Sequence, residues 1–184
     1  WRIMKMQYGA LEQMLINSIK EVSVKLGYEK EPIHFYYPLR ALANILRTPE
    51  DSEGEMRAAV EDFKEEVKER LGDVRVTRSE QRFCFEIPSK GVEYVHDHAE
   101  DNGFLKEFIA AIEFPGVTLD EILEVFQKFT KGKVICVKSQ EEEYDYIVFF
   151  EDSSVDNYRY YIKFHENHAI YHRFLCEDAA DMGI

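Results

Sequence analysis

Residues 158–175 read YRYYIKFHENHAIYHRFL, and this stretch decides the class of fold that the sequence predicts. Aromatic and branched side chains, which strands favour, fill both halves of the stretch. Between the halves stand Glu166 and Asn167, a polar pair with the length of a two-residue hairpin loop. The stretch therefore predicts two antiparallel strands, 158–165 and 168–175, joined by a tight turn.

Two apolar runs precede this hairpin and extend the sheet. KVICVKS (133–139) and YDYIVFFED (144–152) have the composition of strands and are separated by short polar turns. Short connections favour antiparallel neighbours, so the four strands form an antiparallel meander. VICV and YIVFF are continuous rather than alternating apolar runs. This predicts that both faces of these strands are covered, one by helices and the other by more helix or another subunit.

Helical spacing of apolar residues dominates the chain before the meander. Two helix starts carry a capping-box pair, Ser52 with Glu55 and Thr118 with Glu121. The predicted helices lie at 3–26, 38–46, 52–71, 104–112 and from Thr118 to near Gly132, and a β-hairpin lies at 74–78 and 82–88.

The whole sequence predicts an α+β protein: about three N-terminal helices, a β-hairpin, two further helices and the four-stranded antiparallel meander. We expect one mainly antiparallel sheet packed by helices. We also expect a single domain over residues 1–184, with a helical part at 1–72 and a sheet-containing part at 73–184, because no linker is long enough to demand a second domain. A hydrophobic content of 45% is ample for one packed core.

The chain is strongly acidic, with 23 basic against 36 acidic residues and a formal net charge of −13. Such a chain repels a phosphate backbone, and no basic stripe offsets this locally, so nucleic acid is not an expected partner. No apolar run reaches the roughly 18 to 20 residues of a membrane helix, so no membrane association is expected. The acidity instead suits solubility or a basic protein partner.

Three cysteines, Cys84, Cys136 and Cys176, are far apart and form no C-x-x-C pair. Cys84 and Cys136 stand within apolar strand sequence, which favours buried, reduced thiols and a cytoplasmic protein. The sequence opens on Trp1 rather than Met, which leaves an upstream segment open, and no targeting segment is visible.

Residues 93–101, EYVHDHAED, contain two histidines one residue apart, a pattern with which many metal sites begin. On a strand, His96 and His98 would leave the same face, and their rings would converge on one ion. On a helix they would point about 200° apart and share no ligand. The apolar residues nearby have helical spacing, at Val92, Val95 and Ala99. We therefore expect a helix here rather than a metal site.

The order His-Asp-His-Ala-Glu-Asp, residues 96–101, resembles the H-x-H-x-D-H signature of metallo-β-lactamase-type hydrolases. Glu100 stands where that family has Asp, and Asp101 stands where it has His. The resemblance covers six residues of 184, so no fold or role is carried over from it.

The C-terminal hairpin brings a second set of histidines together. With a two-residue loop, His165 lies opposite His168, and Tyr161 lies opposite His172, all on one face. His168 and His172 are roughly 13 Å apart along the strand and cannot share an ion. Only His165 with His168 is close enough for a metal site, and the pair needs a further ligand such as a carboxylate. Tyr161 and His172 are candidates for contact with a ligand or partner.

The segment HFYYP, residues 34–38, groups aromatic side chains in a connector that spans residues 28–38. Aromatic clusters are enriched in interfaces, and they also pin loops against a core. Tyr36 and Tyr37 are therefore two further candidates for contact with a partner.

The sequence contains no nucleotide-binding glycine motif, no catalytic serine elbow and no H-E-x-x-H motif. We therefore favour a non-enzymatic cytoplasmic protein-binding domain without a cofactor, in the form of an acidic inhibitor or immunity-type protein for a basic partner. The alternative is a small metal-dependent hydrolase with a divalent ion in a His/carboxylate site. A self-associating homo-oligomer, based on the apolar strands, is a third hypothesis.

Overall fold

The computed structural model describes residues 2–49 and 52–175, with side chains from residue 8 onward. The chain divides into two compact units, one up to Glu100 and the other from Asp101. Each unit combines helices with an antiparallel sheet, so the protein has the predicted α+β fold. Within the described residues there are two separate sheets, where the sequence predicts one. None of the described helices has both the length and the apolar character that crossing a membrane requires.

Residues 2–49 and 52–100 of the first unit form four helices and a three-stranded sheet. In chain order its elements are α1 (Arg2–Leu26), β1 (Ile33–Pro38), α2 (Leu39–Leu46), α3 (Glu53–Leu71), β2 (Arg75–Ser79), β3 (Arg82–Ile87) and α4 (Ser89–His98). The strand order is β1-β3-β2, and both pairings are antiparallel. The predicted hairpin is therefore β2 with β3, and β1 is an addition to it.

Buried apolar side chains of the helices meet one face of this sheet. Helix α3 contributes a buried stripe with the spacing of a helix face, at Met56, Val60, Phe63, Val67 and Leu71. The ring of Phe63 lies edge-on to that of Phe85 in β3, with centroids 6.4 Å apart. The central strand of the sheet is thus part of the same core as α3.

Strand β1 corrects the prediction of an irregular connector at residues 28–38. Half-buried and exposed side chains alternate from Ile33 to Pro38, as the two-residue period of a strand requires. The strand pairs with β3, and Phe35 lies opposite Phe85. Pro38 is tolerated because β1 is an edge strand and Pro38 is its last residue. With β1 as a third strand, the hairpin forms a sheet separate from the meander, so the described part of the chain has two sheets.

The described residues of the second unit, 101–175, form two helices and a four-stranded meander. In chain order its elements are α5 (Phe104–Glu113), α6 (Leu119–Lys128), β4 (Val134–Lys138), β5 (Tyr146–Phe150), β6 (Tyr158–His165) and β7 (His168–Leu175). The strand order is β4-β5-β6-β7, and every pairing is antiparallel, so the predicted meander is confirmed.

The two predicted capping boxes have different outcomes. At the start of α6, Thr118 Oγ1 accepts the Glu121 N–H at 3.2 Å, and Glu121 Oε1 accepts the Thr118 N–H at 3.3 Å. Ser52 does occupy the N-cap of α3, but its side chain makes no capping hydrogen bond. The box at Thr118 is confirmed, and the one at Ser52 is wrong although the helix starts where the pattern places it.

Helices α5 and α6 cover one face of the meander with aromatic rings. Phe104, Phe108 and Phe126 all contact the ring of Tyr160, with centroids 4.7–5.6 Å apart. Tyr160 is fully buried, and its hydroxyl donates to Asp156 Oδ2 at 2.9 Å. Burial and the neighbouring Asp156 carboxylate raise the pKa of Tyr160. The hydroxyl therefore keeps the proton that it donates.

The two apolar strands that were expected to be covered on both faces differ. In β5, the side chains of Ile147 and Val148 point to opposite faces and are 5% and 0% exposed, so the prediction is confirmed there. In β4, Val137 is 46% exposed, and the residues before it are only half-buried. Strand β4 is the edge of the sheet, so it has fewer neighbours to cover it.

Candidate functional site

The two histidines of EYVHDHAED lie on α4, which confirms the predicted helix. The ring of His96 stacks on Tyr28, with centroids 3.7 Å apart. The ring of His98 stacks on Tyr94 at 4.5 Å, and its Nδ1 lies 3.0 Å from the Tyr94 carbonyl oxygen. The two rings have different neighbours, so this arrangement does not favour a shared metal ion at His96 and His98.

The paired tyrosines of the first unit point to opposite faces of β1. Tyr36 is exposed, and the guanidinium of Arg82 lies 4.7 Å from its ring centroid. The two border a shallow groove of about 440 Å³ at the β2–β3 turn. Tyr37 instead meets Phe85 edge-on at 5.4 Å, on the core side. Of these two candidates, Tyr36 presents its ring to the surface.

The pairing of β6 with β7 has the register that the two-residue loop predicts. His165 lies opposite His168, and Tyr161 lies opposite His172. The rings of His165 and His168 are 5.4 Å apart between centroids and nearly perpendicular. No group of three or more His, Cys, Asp or Glu side chains in the described part of the chain is arranged to hold a metal ion. The two histidine rings therefore face each other as predicted, and the metal site at His165 and His168 stays a prediction.

Tyr161 and His172 share one face of the meander but differ in exposure. Tyr161 is fully buried, with the rings of Tyr144 and Phe174 at 5.3 and 5.1 Å. His172 is exposed, and its Nδ1 lies 3.2 Å from the hydroxyl of Tyr144. Burial raises the pKa of Tyr144, and the carboxylates of Glu143 and Glu141 add to the effect. At the surface, the partner of His172 is therefore Tyr144, which the sequence analysis did not single out.

The loop between β4 and β5, residues 139–145, is held on β6 by the side chain of Asp145 and by its N–H, which donates to the Ile162 carbonyl at 2.8 Å. Asp145 Oδ2 accepts the Phe164 N–H at 2.7 Å, and Oδ1 lies 3.3 Å from Lys163 Nζ. The hydrogen bond from Phe164 and the ammonium of Lys163 hold the pKa of Asp145 below its ordinary value. This anchor fixes the position of the three glutamates that precede it.

Those glutamates, Glu141, Glu142 and Glu143, are exposed, and none of their carboxylates forms an ion pair within the described residues. The loop between α5 and α6 reaches the β6–β7 turn, where the Gly116 N–H donates to the Asn167 carbonyl at 2.8 Å. We call the loops that meet there the turn end: residues 113–117, 139–145 and 165–168. The turn end is a surface of acidic loops around a hairpin.

Phe114 lies in the turn end and is 65% exposed, between two exposed neighbours, Glu113 and Pro115. An exposed phenylalanine beside Glu113, at the end of the sheet that also carries Glu141 to Glu143, is the arrangement of an aromatic anchor with a charged rim. Phe114 is not among the contact residues predicted from the sequence. A phenylalanine after an amphipathic helix is normally buried, and its exposure depends on where the loop leaves the core.

The negative charge is concentrated in the second unit. Residues 1–100 carry 15 basic and 19 acidic side chains, whereas residues 101–184 carry 8 basic and 17 acidic side chains. The second unit therefore has a formal charge of −9 out of the −13 of the whole chain. The turn end belongs to the more acidic of the two units.

Comparison with known proteins places the chain in a family. No match to it was found among curated proteins or among solved structures. The family model described as "Domain of unknown function, E. rectale Gene description (DUF3877)" matches residues 8–183. The match covers nearly all of the chain, including both units and the whole turn end. The chain therefore belongs to the DUF3877 family, a domain of unknown function.

Proposed function

We propose that the protein is a non-enzymatic binding protein that masks a basic surface of a protein partner with the turn end. In this role it resembles an acidic inhibitor or an immunity-type protein. The single observation that carries the proposal is the exposed ring of Phe114 at the same end of the second sheet as the exposed Glu141 to Glu143, in the unit that holds most of the negative charge.

The two parts of the turn end have different roles in this proposal. Exposed carboxylates attract a basic surface over several ångströms and accelerate the encounter, but each contributes little to the affinity once salt screens it. An exposed aromatic ring that enters a pocket of the partner contributes affinity, because its burial removes apolar area from water. The charges thus govern the rate of association, and Phe114 governs the rate of dissociation.

The test is affinity capture from the native host with three immobilised forms: the wild type, Phe114→Ala and the control Leu26→Ala. Leu26 is an exposed apolar residue of the first unit, so its loss controls for apolar area alone. We expect a basic protein to be retained by the wild type and by Leu26→Ala, and lost by Phe114→Ala. We also expect release at about 1 M salt, where the Debye length is about 3 Å.

The association rate with that protein then tests the electrostatic part. Between about 0.01 M and about 0.15 M ionic strength the Debye length falls from about 30 to about 8 Å, and we expect the association rate to fall with it. Capture of no basic protein, or capture that neither salt nor Phe114→Ala changes, would contradict the proposal.

A cytoplasmic setting is part of this proposal. Cys84 and Cys136 are free thiols, and neither has a disulfide partner within the described residues. Free thiols in half-buried positions suit a reducing compartment. Fractionation of the native host, with detection of the untagged protein, tests this part.

A small metal-dependent hydrolase is the second candidate, and the facing rings of His165 and His168 favour it. The site would need a further carboxylate, for which the neighbouring Glu166 is available. Elemental analysis of untagged protein, purified without chelator, tests this candidate. A transition metal that His168→Ala removes and the control His34→Ala retains would support it. Metal-free protein whose thermal unfolding zinc does not shift would reject it.

A further inference from the structure

Strand β4 is an unprotected edge of the second sheet. It pairs with β5 on one side, and no strand in the described part of the chain pairs with its other side. Its sequence, Val-Ile-Cys-Val-Lys, has no proline and no charge before the final Lys138. Edge strands expose unpaired N–H and C=O groups, which are a template for pairing with another strand.

The other three edges carry features that discourage such pairing. Strand β1 ends in a proline, and charged or polar side chains interrupt β2 and β7. The residues concerned are Pro38 in β1, Arg75 and Arg78 in β2, and His172 and Arg173 in β7. Strand β4 carries one such residue, Lys138 at its last position, and the four residues before it are uncharged, with the side chain of Val137 46% exposed. The β4 edge is therefore the one suited to accept a partner strand.

Free charges of opposite sign flank β4. Lys131 and Lys133 precede the strand, and Glu141 to Glu143 follow it. All five side chains are exposed, and none forms an ion pair in the described residues. A strand with a basic beginning and an acidic end is complementary to a copy of itself that runs in the opposite direction.

We propose that two copies of the chain pair β4 with β4 in antiparallel orientation, so that the two meanders form one continuous sheet about a two-fold axis. The overlap is largest when the midpoint of the strand, Cys136, lies beside Cys136 of the second copy. In this register the end of β4 that follows Lys131 and Lys133 in each copy lies beside the turn that carries Glu141 to Glu143 in the other. Both ends of the interface then join basic to acidic side chains, as an isologous contact requires.

Sedimentation at several concentrations, with a matched pair of variants, tests the interface. Val137→Lys places a charge on the β4 edge, and Ile170→Lys places one on β7 at a side chain of nearly equal exposure, 46% against 47%. We expect the wild type and Ile170→Lys to be dimers, and Val137→Lys to be a monomer at the same concentration. A wild type that is monomeric throughout overturns the proposal, as does a dimer that Val137→Lys leaves intact.

Charge reversal tests the orientation. Lys131→Glu with Lys133→Glu, and separately Glu141→Lys with Glu142→Lys, should each raise the dimer dissociation constant by roughly tenfold or more, because like charges then face each other. A mixture of the two variants should recover the wild-type affinity and no more. In a parallel pair the wild type itself would face like charges with like, so the mixture would then bind more tightly than the wild type. Failure of the mixture to associate better than either variant alone excludes antiparallel pairing.

Oxidative cross-linking tests the register. Opposite residues of an antiparallel pair have Cα atoms about 4.5–5.5 Å apart, which is within the range of a disulfide. In a Cys84→Ser, Cys176→Ser background, we expect Cys136 to cross-link the dimer covalently. Burial raises the pKa of the Cys136 thiol, so the oxidation is run at mildly alkaline pH. A dimer that persists but does not cross-link overturns this register. Phe114→Ala should leave every one of these results unchanged, which separates this interface from the proposed partner surface.

Discussion

Two glutamates occupy the same unfavourable position in two hairpins. Glu80, between β2 and β3, has a φ of 50°, and Glu166, between β6 and β7, has a φ of 52°. Each is the first residue of a two-residue loop whose second residue does not have positive φ. This is the pattern of a type II′ turn, in which glycine normally holds the first place.

We expect Glu166→Gly and Glu80→Gly to raise the free energy of unfolding by roughly 0.5–1 kcal/mol each. The gain from relieving a positive φ exceeds the entropy that glycine adds to the unfolded chain. Chemical denaturation of each variant measures the change. The control is Gln81→Gly, at a second loop position without positive φ, which should lower the stability. If all three substitutions lower the free energy of unfolding, relief of backbone strain at the two glutamates does not determine the stability.

The depressed pKa of Asp145 predicts a pH dependence of stability. A carboxylate whose folded pKa lies below its unfolded value stabilises the fold at pH above the unfolded value, and this contribution disappears as the pH falls through the folded pKa. Asp145→Asn should therefore lose roughly 1 kcal/mol at neutral pH, a modest amount because solvent screens a side chain that is 34% exposed. The difference in the free energy of unfolding between Asp145→Asn and the wild type should shrink as the pH falls below about 3.8, the ordinary pKa of an aspartate.

Denaturation curves of Asp145→Asn and the wild type over a series of pH values measure this effect. The matched control is Asp73→Asn, because Asp73 is highly exposed and its one ion pair, with Lys68, is long at 3.7 Å. We expect little change for the control at any pH. Equal losses in the two variants would mean that the bond to the Phe164 N–H is not what stabilises the loop.

Single residues also mark where sequence reasoning about the site stops. The facing of His165 with His168 is predictable because a two-residue loop fixes which residues lie opposite. The contact of Tyr144 with His172 and the exposure of Phe114 are not, because they depend on how loops cross the surface. The spacing of residues along a hairpin determines which side chains face each other across its two strands. Which loop side chains remain exposed depends on the packed structure.

At the scale of elements, the position of α4 depends on the absence of a side chain at Gly91. A Cβ there would lie 2.5 Å from the Leu71 carbonyl oxygen and 2.7 Å from Ile87 Cγ2. Glycine inside a helix is ordinarily unfavourable, so its presence on α4 follows from this close approach to the end of α3 and to β3.

We therefore expect Gly91→Ala to destabilise the protein by roughly 1–3 kcal/mol, the usual range for overpacking a core, despite the better helix propensity of alanine. Gly9→Ala in α1 is the control, since a Cβ at Gly9 meets nothing within 4 Å. The free energy of unfolding of Gly9→Ala should rise by roughly 0.5–1 kcal/mol, because alanine favours the helix more than glycine does. Thermal unfolding of both variants measures the difference, and a stabilising Gly91→Ala would contradict the close approach.

The elements themselves are largely predictable from the sequence, with one instructive exception. The helix at α4 follows from the spacing of Val92 and Val95, and the strands of the meander follow from their apolar runs. Strand β1 was missed because a short aromatic segment beside prolines has the composition of a loop as well as of an edge strand. Its partner, β3, lies about fifty residues later, and no local pattern records a pairing at that distance.

At the scale of the whole molecule, each unit has a core of its own, so we expect each to fold alone. Residues 1–100 and 101–184, expressed separately, should each give a cooperative thermal transition and dispersed amide resonances. The sequence-based prediction of a single domain implies instead that neither fragment folds without the other. If either fragment is unfolded while the full chain is folded, the single-domain prediction holds.

The strand order of the two sheets has a consequence for the kinetics of folding. Every neighbour in the meander is also the next strand along the chain, whereas the first sheet must bring β1 to β3 across two helices and β2. Closing a short loop costs less chain entropy than closing a long one, and sheets with local pairings form faster. In pulse-labelled hydrogen exchange during refolding, amides of β5 and β6 should therefore gain protection before those of β1, so the more acidic half of the chain organises first.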